Sequence, residues 1–433
     1  MKCISMACIA IALVGADCCR AQQAGGSGGA KAAAPQATES RETAAQAAVA
    51  IQQALTLERQ ANFPEAQAKW ASVIKLEPRN GQAYAHLGLL EARLGHYPEA
   101  IAHYRKAKAL DAAIPELNLN LGLALFKANQ YRDAAQVFEA ELRAHPNAAD
   151  KQKLTTLAAM SYYGAHQYGA AIPYLKEASA ADPRNLTLLL TLAHCYLWTK
   201  QLDATMTVYK QILTIDPDSA AADMIAGEAL DEKGDNAGAV QQFRAAVAAN
   251  PKEENVHFAL AYLLWSQKRY SEAIPEFKAE LENDQKNYQA MIYLGNTYVQ
   301  LNQFDDARKL LETAVQYMPD VPLIHLDLGI VYMETSDHDA AIREFTKTVA
   351  LQPDNVTAHF RLGTLYRSIG KRDEAKAEFA KASALNKKTD ESQYKRIADA
   401  NARPEPDAKA APKSDDPAAA PKTDDPAAKP APQ

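Results

Sequence analysis

The chain contains 433 residues, with 47 Lys and Arg residues against 53 Asp and Glu residues, and its net charge is −6. This weakly acidic balance lacks the strong basic excess that is typical of nucleic-acid-binding proteins, so no nucleic-acid partner is expected. The apolar share of 48% is ordinary for a folded protein, and the many alanines favour helix.

The N-terminal residues have the features of a bacterial-type export signal. Lys2 gives a short positive start, and residues 4–14 form an apolar run of the length that signal peptides use. Small residues follow and offer two cleavage sites, one after Ala16 and one after Ala21. The apolar run is shorter than the roughly 20 residues that span a bilayer. The sequence therefore predicts a signal peptide within residues 1–21, a periplasmic or secreted protein, and no transmembrane span in the mature chain.

Two segments of biased composition flank the central part of the chain. Residues 22–46 are rich in Ala, Gly, Gln and Ser without apolar periodicity, which predicts a flexible leader. Residues 401–433 are rich in Pro, Ala, Lys and Asp and contain a doubled unit that starts at Pro412 and again at Pro421. Repeated proline opposes helix, so this segment is predicted to be a disordered tail.

A short helix is predicted just before that tail. Asp390 begins a spacing that resembles a capping box, and Tyr394 and Ile397 give a narrow apolar stripe. Residues 388–400 are therefore predicted to form a separate C-terminal capping helix that covers the last apolar face.

Between the leader and this helix, residues 47–387 repeat with a period of 34 residues. Only the step from the third repeat to the fourth is longer, by three residues near Asn147. The ten repeats start at Ala47, Gly81, Pro115, Gln152, Leu186, Ala220, Glu254, Tyr288, Pro322 and Val356.

Small and large residues alternate at fixed positions of this repeat. Position 8 is Gly or Ala in all ten repeats, as in Gly122 and Ala159, and position 20 is Ala in every repeat except for Thr205. Position 24 is always large and apolar, namely Trp70, Tyr104, Phe138, Leu175, Tyr209, Phe243, Phe277, Leu311, Phe345 and Phe379. The pattern predicts two helices per repeat that approach closely at the small residues, with the large side chain filling the space between them. Prolines after the second helix mark most repeat ends.

This pattern resembles the tetratricopeptide repeat family over residues 47–387. The resemblance implies an all-α fold, an α-solenoid of ten helix-turn-helix repeats that stack into a right-handed superhelix with a concave groove. One such repeat cannot bury its apolar face alone, so neighbouring repeats must stack.

No catalytic constellation is found in the repeats, so the protein is predicted to be no enzyme and to need no cofactor. His257, His325 and His359 share repeat position 4, but consecutive repeats hold such side chains too far apart for one zinc ion. They are predicted to be structural or surface histidines, and no metal site is expected. Cys195 stands alone among the repeats and is predicted to be a buried, inert thiol.

The family resemblance places positions 2, 5, 9, 12 and 13 of each first helix on the concave side. In this chain these positions carry aromatic and apolar side chains, interrupted in the sixth repeat by acidic ones. The candidate partner-binding residues are Phe126, Tyr163, Trp198, Glu228, Asp231, Phe258, Tyr262 and Trp265. They form either an exposed aromatic wall with an acidic patch or packing contacts between adjacent first helices.

The first hypothesis for the function is a noncatalytic interaction scaffold or adaptor of the cell envelope or periplasm. Its concave groove would bind a protein or peptide partner with an apolar or basic-apolar segment. Two alternatives stay open: an accessory subunit of an envelope enzyme or secretion complex, and a glycan or small-molecule receptor that uses the aromatic wall.

Overall fold

The computed structural model of the protein describes residues 35–401, apart from positions 112 and 148. This part of the chain contains helices and connecting turns, and no strand is formed within it. The first helices of the ten repeats are α1 (Pro35–Arg59), α3 (Gly81–Arg93), α5 (Leu117–Lys127), α7 (Lys151–Gly164), α9 (Leu186–Trp198), α11 (Ala220–Glu232), α13 (Val256–Ser266), α15 (Tyr288–Gln300), α17 (Pro322–Glu334) and α19 (Val356–Ser368). The second helices are α2 (Phe63–Leu76), α4 (Tyr97–Leu110), α6 (Tyr131–Ala144), α8 (Tyr168–Ala181), α10 (Leu202–Leu213), α12 (Asn236–Ala249), α14 (Tyr270–Asn283), α16 (Phe304–Tyr317), α18 (His338–Leu351) and α20 (Arg372–Asn401).

The chain divides into two compact units, the first ending at Leu310 and the second beginning at Leu311. In the first unit, every helix packs against the next one along the chain up to α15. First helices also contact each other, as α9 does with α11, α11 with α13, and α13 with α15. These helices form what we term the first-helix layer. In the second unit, α17 to α20 pack in the same sequential way, and α17 contacts α19. The helix-pair solenoid predicted from the repeat is thus confirmed.

The turn between the two helices of each repeat has one conserved geometry along the chain. Position 15 has a positive φ in all ten repeats, for example 58° at Asn129 and 59° at Lys200. The next backbone N–H then bonds to the carbonyl five residues back, as from Gln201 to Tyr196 at 2.8 Å. This is the Schellman ending of a helix. Only Gly95, Gly234 and Gly370 supply glycine at position 15, so the backbone hydrogen bonds hold the other residues in the left-handed region.

The predicted pairing of small and large residues is confirmed as the core of the repeats. Positions 8 and 20 are buried throughout, and where position 8 is glycine and position 24 is aromatic, the ring packs on position 8 of its own repeat. A Cβ atom on Gly227 would lie 2.8 Å from the ring of Phe243, and one on Gly329 would lie 2.6 Å from the ring of Phe345. Real Cβ atoms do not approach this closely, so the large rings occupy the space that glycine leaves.

Both predicted ends of the repeat array need correction. The leader was expected to be flexible to residue 46, but α1 already begins at Pro35. Its Ala, Glu and Arg residues are strong helix formers, and they extend the first helix beyond the repeat. The separate capping helix at 388–400 is wrong as well, because α20 continues to Asn401. Neither Pro nor Gly stands between Phe379 and Asp390 to end the helix.

Several expectations fall on other parts of the chain. The signal peptide, its two cleavage sites and the tail from residue 402 onward lie outside the described residues. Among the residues that are described, none of the helices combines the length and apolar character needed to cross a bilayer.

Candidate partner-binding surface

All eight candidate residues lie on first helices of the first unit, where α5, α7, α9, α11 and α13 carry them. Trp198 has 44% of its surface exposed, and Asp231 is exposed as well. The other six, Phe126, Tyr163, Glu228, Phe258, Tyr262 and Trp265, are partly buried. The surface therefore combines both arrangements that the sequence left open, since most of the aromatic rings pack against neighbours and keep only part of their area in solvent.

One group of rings surrounds His194, and we call it the His194 cluster: Tyr163, Tyr168, His194 and Trp198. The indole of Trp198 stacks on Tyr168, with ring centres 5.6 Å apart and planes 25° apart. The Trp198 Nε1 donates a hydrogen bond to Nε2 of His194 at 3.0 Å. On the other side of the imidazole, Nδ1 lies 3.1 Å from the hydroxyl of Tyr163. The cluster thus joins α7, the start of α8 and the end of α9.

These contacts fix the protonation state of the His194 cluster. Burial lowers the pKa of His194 to about 4, so the imidazole is neutral near pH 7. Indole N–H groups only donate, so Nε2 must be the bare nitrogen and the single imidazole proton sits on Nδ1. Nδ1–H therefore donates to the Tyr163 oxygen. Burial also raises the pKa of Tyr163 to about 12, so this phenol keeps its own proton.

The acidic patch predicted in the sixth repeat lies on α11, between the helices that carry the aromatic residues. Glu228 is partly buried, and its pKa is raised to about 7 by burial, then by Glu232 and Asp231, while Lys200 acts in the opposite direction. Lys200 forms an ion pair with Glu232. Burial and the Glu232 charge also raise the pKa of Asp231. Glu228 therefore titrates near neutral pH, which an exposed glutamate does not do.

A second group of rings, the Tyr293 cluster, consists of Phe258, Tyr262, Trp265 and Tyr293. Tyr293 on α15 lies edge-on to Tyr262 at 5.0 Å and to Trp265 at 4.8 Å between ring centres. The Trp265 Nε1 donates a 2.8 Å hydrogen bond to the side chain of the buried Asn296. Trp265 is thus held between two repeats, and it serves packing more than Trp198 does.

Phe126 belongs to neither cluster. Its ring meets Tyr131 edge-on at 5.2 Å and packs against two neighbouring clusters of buried apolar residues. Met160 and Leu197, which share the predicted groove positions, are buried. The apolar surface on the first-helix layer is therefore smaller than the sequence pattern suggests.

Four residues that shape this surface are not among the candidates predicted from the sequence: Tyr168, His194, Tyr293 and Asn296. His194 and Asn296 occupy position 9, one of the positions that the family resemblance already singled out. Tyr168 stands at position 17, where six of the ten repeats have an aromatic residue: Phe63, Tyr97, Tyr131, Tyr168, Tyr270 and Phe304. That recurrence was the available signal. For Tyr293, at position 6, the repeat pattern contains no such signal.

The histidines at position 4 are structural, as predicted. Each is buried and its Nδ1 contacts the glutamate at position 23 of its own repeat, as His257 does with Glu276 at 2.6 Å. For His325, Nδ1 lies 2.6 Å from Glu344, and Nε2 lies 2.8 Å from the Pro319 carbonyl. His359 makes the equivalent contacts with Glu378 and Pro353. Within the described part of the chain, no three His, Cys, Asp or Glu side chains are grouped as a metal ion would require.

Cys195 is fully buried, and burial raises its pKa to about 12. Its thiol is therefore protonated at neutral pH and shielded from solvent. The predicted burial of this thiol is confirmed, and its inertness stays a prediction.

Stacked helix pairs that expose part of an aromatic and acidic layer define a repeat protein of the protein-interaction class. Two sequence models of protein families, both described as tetratricopeptide repeat, match the chain. One matches residues 162–228, 264–326 and 332–398, and the other matches residues 51–116, 119–150 and 226–288. Together they span most of the ten repeats. The chain belongs to the tetratricopeptide repeat family.

Some solved structures are similar to this chain over part of its length. A crystal structure of MamA is 25% identical, with a TM-score of 0.36, and the match covers 38% of this chain and 96% of MamA. MamA from Desulfovibrio magneticus RS-1 is 19% identical, with a TM-score of 0.37 and coverage of 40% and 97%. YrrB, described as a TPR protein with an unusual peptide-binding site, is 20% identical, with a TM-score of 0.37 and coverage of 46% and 97%. No curated protein matches the sequence.

Proposed function

We propose that the protein is a noncatalytic scaffold that binds a segment of a partner protein on the first-helix layer of its first unit. The observation that carries this proposal is the exposure of Trp198, which has 44% of its surface in solvent on a layer whose other aromatic side chains are partly or fully buried. Large exposed aromatic side chains on a rigid support are the residues that most often anchor protein interfaces. Membership of the tetratricopeptide repeat family supports the same role.

The rigidity of the support is part of this argument. Tyr168 holds one face of the Trp198 ring, and His194 accepts the hydrogen bond from its Nε1. The side chain is thereby ordered before any partner arrives, so binding loses less side-chain entropy than it would with a free tryptophan. A preorganised, exposed indole suits recognition better than it suits the stability of the isolated chain.

We also infer that the scaffold works outside the cytoplasm, in the periplasm or as a secreted protein. The support for this step is the N-terminal sequence, where Lys2 precedes an apolar run at residues 4–14 and small residues follow. A scaffold or adaptor of the cell envelope is the function that joins this signal to the interaction surface.

Site-specific photo-crosslinking in the native cell tests the interaction surface. A photoreactive p-benzoylphenylalanine at Asp231, which is exposed on α11, should give discrete crosslinked protein products. The matched control places the same group at Ala245, which is exposed on the second helix α12. Identical products from both positions, or products from neither, would contradict a partner that binds the first-helix layer.

A further inference from the structure

An ion pair joins the end of α9, which carries the exposed Trp198, to the end of α11, which carries the acidic patch. Lys200 follows Trp198 by two residues and forms an ion pair with Glu232 on α11. The same lysine acts on the pKa of Glu228, so these groups share one local environment. α9 and α11 are in direct contact. The aromatic and acidic features are therefore neighbouring parts of one surface.

We propose that Trp198, Tyr163 and Glu228 form one docking subsite for a partner segment in which an apolar or aromatic side chain stands next to a lysine or arginine. The exposed face of Trp198 takes the apolar side chain, the Tyr163 hydroxyl donates to a peptide carbonyl, and Glu228 with Asp231 takes the cation. This proposal rests on the proposed function and specifies the partner's chemistry.

The hydrogen-bond donor follows from the protonation of the His194 cluster. The imidazole proton is used in the bond to the Tyr163 oxygen, and the phenolic proton of Tyr163 has no acceptor among the described residues. A partly buried hydroxyl proton needs an acceptor, because leaving it unpaired is unfavourable. Water can supply one in the free protein, and a backbone carbonyl of the bound segment replaces that water.

The cation preference follows from the balance of charge around Glu228. Asp231 and Glu232 stand on the same helix as Glu228, and Lys200 follows the end of α9. Within the described residues, no charged group of α10, α12 or α13 adds to the shift of the Glu228 pKa. Lys200 pairs with Glu232, and Lys233 pairs with Asp203. Glu228 and Asp231 form no ion pair within the described residues. The patch therefore has an excess of negative charge that an incoming cation offsets.

Binding of that cation is linked to a proton. Glu228 in the free protein has a pKa of about 7, so roughly half of the molecules carry a proton on it at pH 7. A nearby ammonium or guanidinium group favours the carboxylate and lowers its pKa, so binding releases that proton. Affinity for a basic segment should therefore rise with pH through neutrality, whereas affinity for an uncharged segment should not.

Isothermal titration calorimetry with defined peptides tests this subsite on the full mature chain. The probe is a capped hexapeptide, acetyl-Gly-Phe-Lys-Phe-Lys-Gly-amide, and the comparison peptides replace each Lys by Gln or each Phe by Ala. Both replacements should weaken binding about tenfold. Titration at pH 7 in two buffers of different ionisation enthalpy should show release of about half a proton per Lys peptide and none for the Gln peptide. Between pH 5.5 and pH 8, affinity for the Lys peptide should rise about tenfold.

Matched variants assign each part of the subsite. Glu228→Gln should abolish the proton release and the preference for Lys over Gln, while Glu99→Gln, which removes an exposed charge from α4, should change neither. Trp198→Ala should weaken binding of the Lys peptide and of the Gln peptide about tenfold, because both contain Phe. Tyr163→Phe should weaken binding of the same two peptides about fivefold.

Two results overturn the subsite, and they differ in what they say of the proposed function. If the Lys peptide binds the Trp198→Ala and Glu228→Gln variants as tightly as it binds the unaltered chain, the peptide binds elsewhere and the subsite is wrong. If the unaltered chain binds none of the peptides at millimolar concentration, the subsite is wrong, and crosslinking at Asp231 then decides separately whether the layer binds a partner at all.

Discussion

A Cβ atom on Gly122 would lie 2.4 Å from Cε1 of Phe138. The backbone of α5 is therefore in contact with a ring from α6, and Phe138 itself is fully buried. The same relationship between positions 8 and 24 recurs wherever the repeat has glycine at position 8 and an aromatic residue at position 24, as in Gly88 and Tyr104.

We expect Gly122→Ala to destabilise the third repeat by about 1–2 kcal/mol. Overpacking of a filled core costs about 1–3 kcal/mol, and the gain in helix propensity of up to about 1 kcal/mol offsets only part of it. Because stability in a repeat array is local, hydrogen exchange in α5 and α6 measures the effect best. The control is Gly169→Ala in α8, where the nearest atom to a new Cβ is Thr199 Cγ2 at 4.0 Å. This change should be neutral or stabilising, and equal losses in both variants would contradict the packing argument.

The second prediction concerns the pH dependence of the second unit. Burial alone would lower the pKa of His325, but the hydrogen bonds to Glu344 and to the Pro319 carbonyl outweigh it, and the pKa is raised. A raised folded-state pKa stabilises the fold fully below the unfolded value of about 6.5, and the contribution is lost as pH rises through the folded value. The difference in melting temperature between the unaltered chain and His325→Gln should therefore be largest near pH 6 and shrink toward pH 9.

His145→Gln is the control for this pH series, because His145 is exposed and, among the described residues, forms its ion pair with Glu141, one turn earlier in the chain. Its effect on melting should be small at every pH between 6 and 9. A stability difference for His325→Gln that grows with rising pH would have the wrong sign. It would contradict the claim that two hydrogen bonds stabilise the protonated form of His325.

The third prediction separates the two groove tryptophans. Trp265 is wedged between α13 and α15 with a hydrogen bond to Asn296, whereas Trp198 has 44% of its surface in solvent. Trp265→Ala should cost about 3 kcal/mol or more of local stability, in line with large-to-small core changes. Trp198→Ala should cost clearly less, because less of the removed surface is buried. Circular dichroism melts and hydrogen exchange around each site measure both effects, and a larger loss for Trp198→Ala would reverse the assignment of roles.

The fourth prediction uses thiols to locate the export cleavage. Cys195 is buried and its pKa is raised to about 12, so it should not react with a thiol reagent in the native protein. A mature chain cut after Ala21 then shows no fast-reacting thiol, whereas a cut after Ala16 leaves Cys18 and Cys19 as candidates. Denaturation should expose Cys195 in both cases. Mass measurement of the protein from the cell envelope provides the independent check, and an intact Met1 on cytoplasmic protein would reject export.

The sequence by itself determined the repeat, its period and the packing rule inside it. Position 8 must be small where position 24 is large, since both side chains compete for the same space between two helices. This is a local constraint within 34 residues, and it recurs ten times, so the pattern stands out above the variation of other positions. The sequence also indicated the acidic patch at Glu228 and Asp231 and the aromatic character of the first-helix layer.

Only the tertiary structure decided which of those aromatic residues keep their surface in solvent. Trp198 and Trp265 stand at neighbouring positions of similar helices, yet one is exposed beside Tyr168 and the other is wedged against Tyr293. Tyr168 comes from α8, which precedes the helix of Trp198, and Tyr293 comes from α15, which follows the helix of Trp265. Packing across repeats therefore fixes which ring each tryptophan contacts. The raised pKa of Glu228 also depends on the tertiary structure, because burial is its largest cause. The Nδ1–H of His194 likewise finds its acceptor, the Tyr163 oxygen, on another helix.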